Sequence, residues 1–532
     1  MRHAAPRSQL ETHEVFNQPA PALPDPWAGD AALCALIGED AELAAFGAAL
    51  ADPDIREAAR DAQTRLPELK TFDRAGRRID EVHFHPGYHR LMALGLEAGY
   101  AASAWEEGGS HARHAALIYM LSQVEPGVCC PMTMTYAAVP ALAADDGLAA
   151  LWRPRLTARA YDPSRRPVAG KTAATMGMAM TEKQGGSDVR ANSTRAVPDG
   201  DGYRLTGHKW FCSAPMCDGF LTLAQADGGL TCFVVPRWLP DGTRNAFNIL
   251  RLKDKLGNRA NASSEIEYAN TFAHRLGAEG RGVQNIIEMV HHTRLDTAMA
   301  PAGLMRAALV EALHWARGRS VFQRRLIDQP LMRAVLADLA LESEATLILG
   351  MEVARAFDDP ARRPYARLTV ALAKFLSNKR APGMIYECME VLGGMGYVED
   401  TPLPMLYREA PLNSIWEGSG NVICLDILRT LAREPAAGAQ LNARLDAARG
   451  QDARFDAALA AHRDRWPGLP PEAEARWFAE SLSLLLTTVV MMEKSPVADA
   501  FLASRLDGQR GQIAGAMAGI DAQAVLDRAA PH

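Results

Sequence analysis

The sequence predicts a mostly α-helical protein with one central β-domain, and three observations carry that expectation. Apolar residues recur at three- and four-residue spacing through "DAALCALIGEDAELAAFGAALA" and "GYHRLMALGLEAGYAASAW". Near Lys171 the chain changes to short runs rich in branched and aromatic residues, separated by Gly, Asp and Asn. From about residue 285 long amphipathic runs return, such as "LDTAMAPAGLMRAALVEALHWARGRS".

Taken in order, residues 1–27 are rich in Pro and lack periodicity, so an extended arm is expected. Residues 28–170 read as a helical domain, dominated by Ala and Leu, which suit helix interiors. Residues 171–284 read as a β-domain: "MGMAM", "GYRLTGHKWFCS", "GFLTLAQADGGLTCFVVP", "NILRLK" and "SSEIEYANTF" are strand-like, and "ADGG" is a hairpin signal. Residues 285–432 read as a helical bundle. "REPAAGAQ" marks a boundary before a further Ala-rich helical extension, 433–532. No internal repeat is evident.

At 532 residues the chain exceeds the ~250–300 at which single cores stop growing, so several domains are expected. A 48% hydrophobic and 23% charged composition is ordinary for globular proteins. The net charge of −6 gives no global attraction to nucleic-acid phosphate or anionic lipid. The eight cysteines show no paired zinc spacing, and no metal site is expected. There is no signal-peptide core, and "SLSLLLTTVVMM" falls short of the ~20 apolar residues of a membrane span. A soluble protein of the reducing cytoplasm, without a membrane partner, is the expectation.

Five stretches could carry chemistry. In "MGMAMTEKQGGSDV" a strand-like run ends in Thr181 and Glu182 before Gly185, Gly186 and Ser187; glycines admit close approach of backbone N–H groups to a ligand, and the hydroxyls direct hydrogen bonds. A tight turn explains the same stretch equally well. It is neither a P-loop nor a Rossmann fingerprint. "GHKWFCSAP" offers an aromatic wall and Ser213 to a planar cofactor, although such a feature alone is more often core. "RSVFQRRLIDQ" brings arginines suited to pyrophosphate to what reads as a helix end, where a solvated basic terminus is the bland alternative. "EVLGGMGYVED" breaks a helix with Gly393 and Gly394. In "NSIWEGSGNVICLDILRT", Glu417 precedes Gly418-Ser419-Gly420-Asn421; it either sits favourably at a helix N-terminus or does chemistry.

In this order, "MTEKQGGSDV", "GHKWFCS", "DKLGNR", "RSVF", "VLGGMGY" and "WEGSGN" resemble the acyl-CoA dehydrogenase superfamily of flavoproteins. "FNQPAPALP", "FVVPRWLPDGTRNAF", "RLKDKLGNRANAS" and "LYREAPLNSIWEGSGN" point to its AidB branch, associated with the adaptive response to DNA alkylation. The resemblance runs from about residue 13 to 435. It implies a barrel-like β-domain, a homotetramer, and FAD held between the β-domain and the second bundle. It implies flavin contacts from Met178, Met180, Thr181, Gly186 and Ser187, from Phe211 and Ser213, and from Trp416, Gly418, Ser419 and Asn421. Arg319 would reach a neighbouring subunit's FAD, and Gly393 and Gly394 its adenosine end. Glu417 falls on the catalytic base that removes the α-proton of an acyl thioester.

Lys183 and Gln184 replace the usual proline-containing sequence, Glu390 the usual glutamine, and Gln323 the usual glycine, and about a hundred residues follow the usual end. The substrate expected is an acyl-CoA or a related small molecule. The alternative is a flavoprotein that binds double-stranded DNA and protects it or destroys alkylating agents; an oxidase of the same fold is a third reading. From Ala432 onward there are eleven basic and thirteen acidic residues, a net of −2, so DNA binding rests on the resemblance alone.

Overall fold

The computed structural model describes residues 16–508 and 510–531. The first fifteen residues of the expected arm lie outside them. Residues 16–27 form no helix or strand; Arg56 of the first helical layer donates to the Pro24 carbonyl and His314 of the second meets that of Ala20.

The first layer comprises α1 (Ala31–Ile37), α2 (Ala41–Leu50), α3 (Pro53–Thr64), α4 (Pro86–Glu97), α5 (His111–Ser122), α6 (Cys129–Leu142) and α7 (Asp146–Leu156). Their starts are written in the sequence: the carboxylates of Asp30, Asp40, Asp52 and Asp145 and the hydroxyl of Ser110 accept first-turn N–H groups. One departure from the all-helical reading lies here. Residues 68–83 form an antiparallel hairpin, β1 (Glu68–Phe72) and β2 (Arg78–His83), around a turn in which Asp73 accepts from the N–H groups of Ala75 and Arg77. Both strands are half-exposed and largely polar, so they carry little of the periodicity by which strands are recognised.

The β-domain holds β3 (Met176–Ala179), β4 (Arg195–Asp199), β5 (Gly202–Ser213), β6 (Gly219–Ala226), β7 (Gly229–Pro236), β8 (Phe247–Leu252) and β9 (Ser263–Leu276). β6 and β7 meet across Asp227-Gly228, the two-residue turn expected from "ADGG". β6, β4, β5, β9 and β7 pair in sequence, and β7 pairs again with β6, so five strands close a barrel. β3 extends it in parallel beside β6, and β8 lies along β9.

The second layer is built on α8 (Gly282–Gly318), about 55 Å long at 1.5 Å per residue, with α9 (Pro330–Phe357), α10 (Arg363–Leu392), α11 (Leu403–Glu409) and α12 (Gly420–Arg433). Between α8 and α9 the sequence suggested arginines closing a helix. The helix instead stops at Gly318, and β10 (Ser320–Val321) and β11 (Arg324–Arg325) form a small hairpin. Phe322 and Gln323 are both left-handed (φ 50° and 64°), as a two-residue turn of the I′ type requires.

The extension folds as α13 (Pro435–Asp446), α14 (Ala453–Arg465), α15 (Ala475–Lys494), α16 (Ala498–Arg505) and α17 (Ala522–Ala529). The continuous helical stretch Glu472–Lys494 does reach spanning length, contrary to the sequence reading, but 67% of its apolar window is buried within the protein. α15 packs on α9, α10 and α12, as a core helix does.

Candidate active site

Glu417 sits where the chain turns from a 3₁₀ turn (Leu412–Ser414) into α12. Its φ is 57° and that of Gly418 is 103°, two successive left-handed residues that swing the carboxylate away from the helix it precedes. It caps nothing. Oε2 instead accepts a 2.7 Å hydrogen bond from the Thr293 hydroxyl on α8. Neither Ser419, in the cap position, nor Asn421 makes a side-chain cap bond, and Asn421 Oδ1 accepts from Arg476 of α15 at 2.9 Å.

Two buried cations fix this loop. Arg294 Nε donates to the Glu417 carbonyl (3.2 Å), and its Nη1 pairs with Asp426 (2.6 Å). Lys374 Nζ donates to the carbonyls of Asn413 (2.9 Å) and Gly418 (3.0 Å), bridging the turn from below. Burial raises the Glu417 carboxyl above its ordinary range; the Thr293 hydrogen bond, Arg294 and Lys374 pull it back only in part. Burial, reinforced by Arg294, pushes Lys374 down to about 7. The loop therefore holds a carboxylate of enhanced basicity whose carbonyl flanks are pinned.

A second surface belongs to β3, β5 and the loop after β3. Met178 and Met180 lie two apart and are partly open, as are Phe211 (51% exposed) and Ser213 on β5. Ser213 Oγ lies 3.0 Å from Ser263 Oγ, which accepts from Lys255 (3.1 Å). Cys130, at the start of α6, is buried, and burial pushes its thiol up to about 12 against the pull of Lys255.

The loop 181–187 is anchored by Glu182, which accepts from Ser193, Thr194 and, at 2.9 Å, the buried Lys209. This network holds its carboxyl well below the ordinary range despite burial. A Cβ on Gly186 would lie 2.3 Å from Thr181 Oγ1, so only glycine fits there. Gly185, Gly186 and Ser187 are exposed at the tip.

The remaining expected residues are not brought to Glu417 within one chain. Arg319 donates to the Asn17 carbonyl (3.1 Å) and lies 5.4 Å over the Trp315 ring. Gly393, left-handed at φ 61°, ends α10 beside an open, exposed Gly394. Trp416, by contrast, flanks Glu417, its indole N–H held by Asn413 Oδ1 at 2.8 Å. A cleft of about 160 Å³ between β2, α4 and the barrel contains none of the expected residues. Sequence reasoning missed Thr293, Arg294, Lys374 and Arg476: each acts from a helix distant in sequence, and none stands in a local pattern that singles it out.

The residues present fit FAD. Partly open apolar side chains (Met178, Met180, Phe211, Trp416) offer walls to an isoalloxazine ring. The hydroxyls of Thr181, Ser187 and Ser213 and the glycine turn offer polar contacts without side-chain bulk. With Glu417, a half-buried carboxylate of raised basicity held by Thr293, fold and site define a flavin-dependent oxidoreductase of acyl thioesters.

Comparison with known proteins agrees. Residues 17–163 match the family described as adaptive response protein AidB N-terminal domain. Residues 177–271 match the middle domain of acyl-CoA dehydrogenases and residues 280–432 the C-terminal domain. AidB of Escherichia coli (strain K12) is 43% identical over 523 residues, 94% of this chain and 96% of that protein. Acyl-CoA dehydrogenase family member 11 of Caenorhabditis elegans is 32% identical over 78% of this chain and 72% of that protein. Among solved structures, Bd2924 in its apo-form superposes with TM-score 0.82 at 30% identity, covering 90% of this chain and 100% of that one. Caenorhabditis elegans ACDH-11 in complex with C11-CoA superposes with TM-score 0.81 at 28% identity, covering 95% and 93%. The chain belongs to the acyl-CoA dehydrogenase family, in its AidB branch, and is an FAD-dependent enzyme of that class.

Proposed function

We propose that the chain dehydrogenates an acyl-CoA across its α,β bond with Glu417 as base. The carrying observation is the Glu417 turn: a carboxylate made more basic by burial, aimed away from the helix it precedes and held by Thr293. Arg294 and Lys374 occupy the carbonyls of residues 413, 417 and 418, which leaves the carboxylate's orientation rigid. Glu417 takes the α-proton, and Met178, Met180, Phe211 and Trp416 exclude water from the reacting face. FAD supplies the acceptor for the β-hydride. ACDH-11, solved with C11-CoA, supports a thioester as the substrate class. Anaerobic mixing of the holoprotein with acyl-CoAs of graded length tests the reading. Substrate-dependent bleaching of the flavin is expected, and a panel that leaves the flavin oxidised throughout refutes it.

The site is completed between subunits of a homotetramer in this reading. Phe322, at the hairpin tip beside Arg319, is 94% exposed, and Gly393 and Gly394 stand open, all away from the Glu417 loop of their own chain. The eight free cysteines suit a reducing cytoplasm. A role in the alkylation response comes with the AidB relationship. On the chain itself, Arg444, Arg454, Arg463, Arg465, Arg505, Arg510 and Arg528 of the extension are paired with carboxylates, which weakens them as a phosphate-binding surface.

A further inference from the structure

The cleft of about 160 Å³ beside the barrel is built around a charge that the protein does not itself neutralise. Arg237, the residue after β7, lines it and is 2% exposed, yet its guanidinium meets no carboxylate among the described residues. It donates to the carbonyls of Asp80 (3.2 Å) and Phe247 (3.5 Å), approaches Met216 Sδ at 3.9 Å, and lies 4.7 Å over the Phe247 ring. Its Nε–H has no acceptor among the described residues, and it is not sealed off as the partnerless Arg259 Nε is. The neighbouring carboxylates are engaged elsewhere. Asp80 meets Arg78 (2.8 Å) and Arg244 (3.3 Å), Asp218 meets Lys171 (2.7 Å), Asp162 meets Arg166 (3.3 Å), and Glu81 meets the half-exposed Arg165. A positive charge is left over in a buried place, where an unpaired ion is costly. Burial pushes Arg237 down to about 10, which leaves it charged at neutral pH.

Tyr88 on α4 supplies a second open group. It is 5% exposed and lines the same cleft, and its hydroxyl has no hydrogen-bond partner among the described residues, again without being sealed off as the Ser377 hydroxyl is. Its ring stacks on Phe84, 4.1 Å between centroids. His89 Nδ1 lies 2.8 Å from the Tyr161 hydroxyl, and burial holds its imidazole below the ordinary range, so it stays neutral at pH 7 and adds wall rather than charge. Val82, Met92 and Pro131 complete the apolar lining.

A buried cation, an open hydroxyl and aromatic walls together recognise an anion with a flat apolar body. A cavity of about 150 Å³ holds a single benzene ring, which sets the size. We propose that this cleft is a binding site for a small aromatic monocarboxylate, with Arg237 as its counter-charge and Tyr88 as a hydrogen-bond donor. No residue of the Glu417 loop lines the cleft, so binding there is independent of the dehydrogenase reading.

Isothermal titration of the full-length holoprotein with benzoate, benzamide and acetate tests it. Benzoate is expected to bind about tenfold or more tightly than benzamide, which keeps the ring and loses the charge, and than acetate, which keeps the charge and loses the ring. Tyr88→Phe removes a hydroxyl that no protein group uses, so it should keep the fold and weaken benzoate by about tenfold. Arg237→Met should abolish the preference for benzoate over benzamide. No saturable binding of benzoate, equal binding of benzoate and either control, or wild-type affinity for benzoate in Tyr88→Phe or Arg237→Met overturns the proposal. Flavin content and the melting transition identify a variant that has failed to fold; should either be one, the other and the wild-type comparison decide.

Discussion

Replacing Glu417 by Gln separates chemistry from structure, because the two roles predict opposite changes in activity and stability. An amide oxygen can still accept the Thr293 hydroxyl bond, so the local geometry survives. It cannot take a proton. Loss of base catalysis is worth about 10²–10⁴ in rate, or about 3–5 kcal/mol at 1.36 kcal/mol per factor of ten. Stability should move the other way. Because burial raises the folded-state pKa of Glu417, its contribution is fully present below the unfolded pKa, near 4.3, and is lost as pH rises through the folded value. At pH 7 the wild type carries that cost and the amide does not, so Glu417→Gln should be as stable or more stable by about 1 kcal/mol. The assay is stopped-flow anaerobic flavin reduction by the best acyl-CoA, alongside thermal unfolding at pH 5 and pH 7. The stability gain should be larger at pH 7. Near-wild-type reduction together with a lowered melting temperature would show that Glu417 serves structure.

Ser187→Ala and Arg319→Ala should each lower FAD occupancy, read as the ratio of flavin to protein absorbance; fully yellow preparations of both would remove these residues from the cofactor site. Phe322→Asp, at an exposed hairpin tip, tests the proposed tetramer: it should yield smaller species in sedimentation than the unsubstituted protein and release flavin, and an unchanged sedimentation profile would remove this tip from a subunit interface. Glu182→Gln breaks a buried pair with Lys209 and should cost about 3–5 kcal/mol, measured by denaturant unfolding, with the loop 181–187 and its flavin loosened together. Lys374, held near 7, exerts its full pull on Glu417 only below that pH. Lys374→Met should therefore raise the acidic limb of the pH–rate profile of reduction and abolish any inflection near pH 7. An unchanged profile would show that Lys374 acts on the turn alone.

Much of this protein was legible locally. Capping aspartates, the "ADGG" turn and the shift in periodicity near Lys171 report the order helices, barrel, helices, because each is a rule about neighbours along the chain. The hairpin at 68–83 was not legible, since strands half in water carry little apolar alternation. The hairpin at 320–325 was hidden for another reason: its turn places Phe and Gln where glycine is the usual mark.

For the site, the sequence by itself determined which residue types stand in the family's positions, Glu417 and the glycine-hydroxyl loop above all. Only the tertiary structure decided what those residues are. Whether Glu417 caps α12 or turns from it depends on Thr293 and Arg294, 124 and 123 residues before it, and on Lys374, 44 residues before Gly418. Glu182 was read as part of a binding motif, and Lys209 made it a buried anchor. Burial, which sets the basicity of a carboxylate, is a property of packed helices and cannot be read from neighbours along one of them.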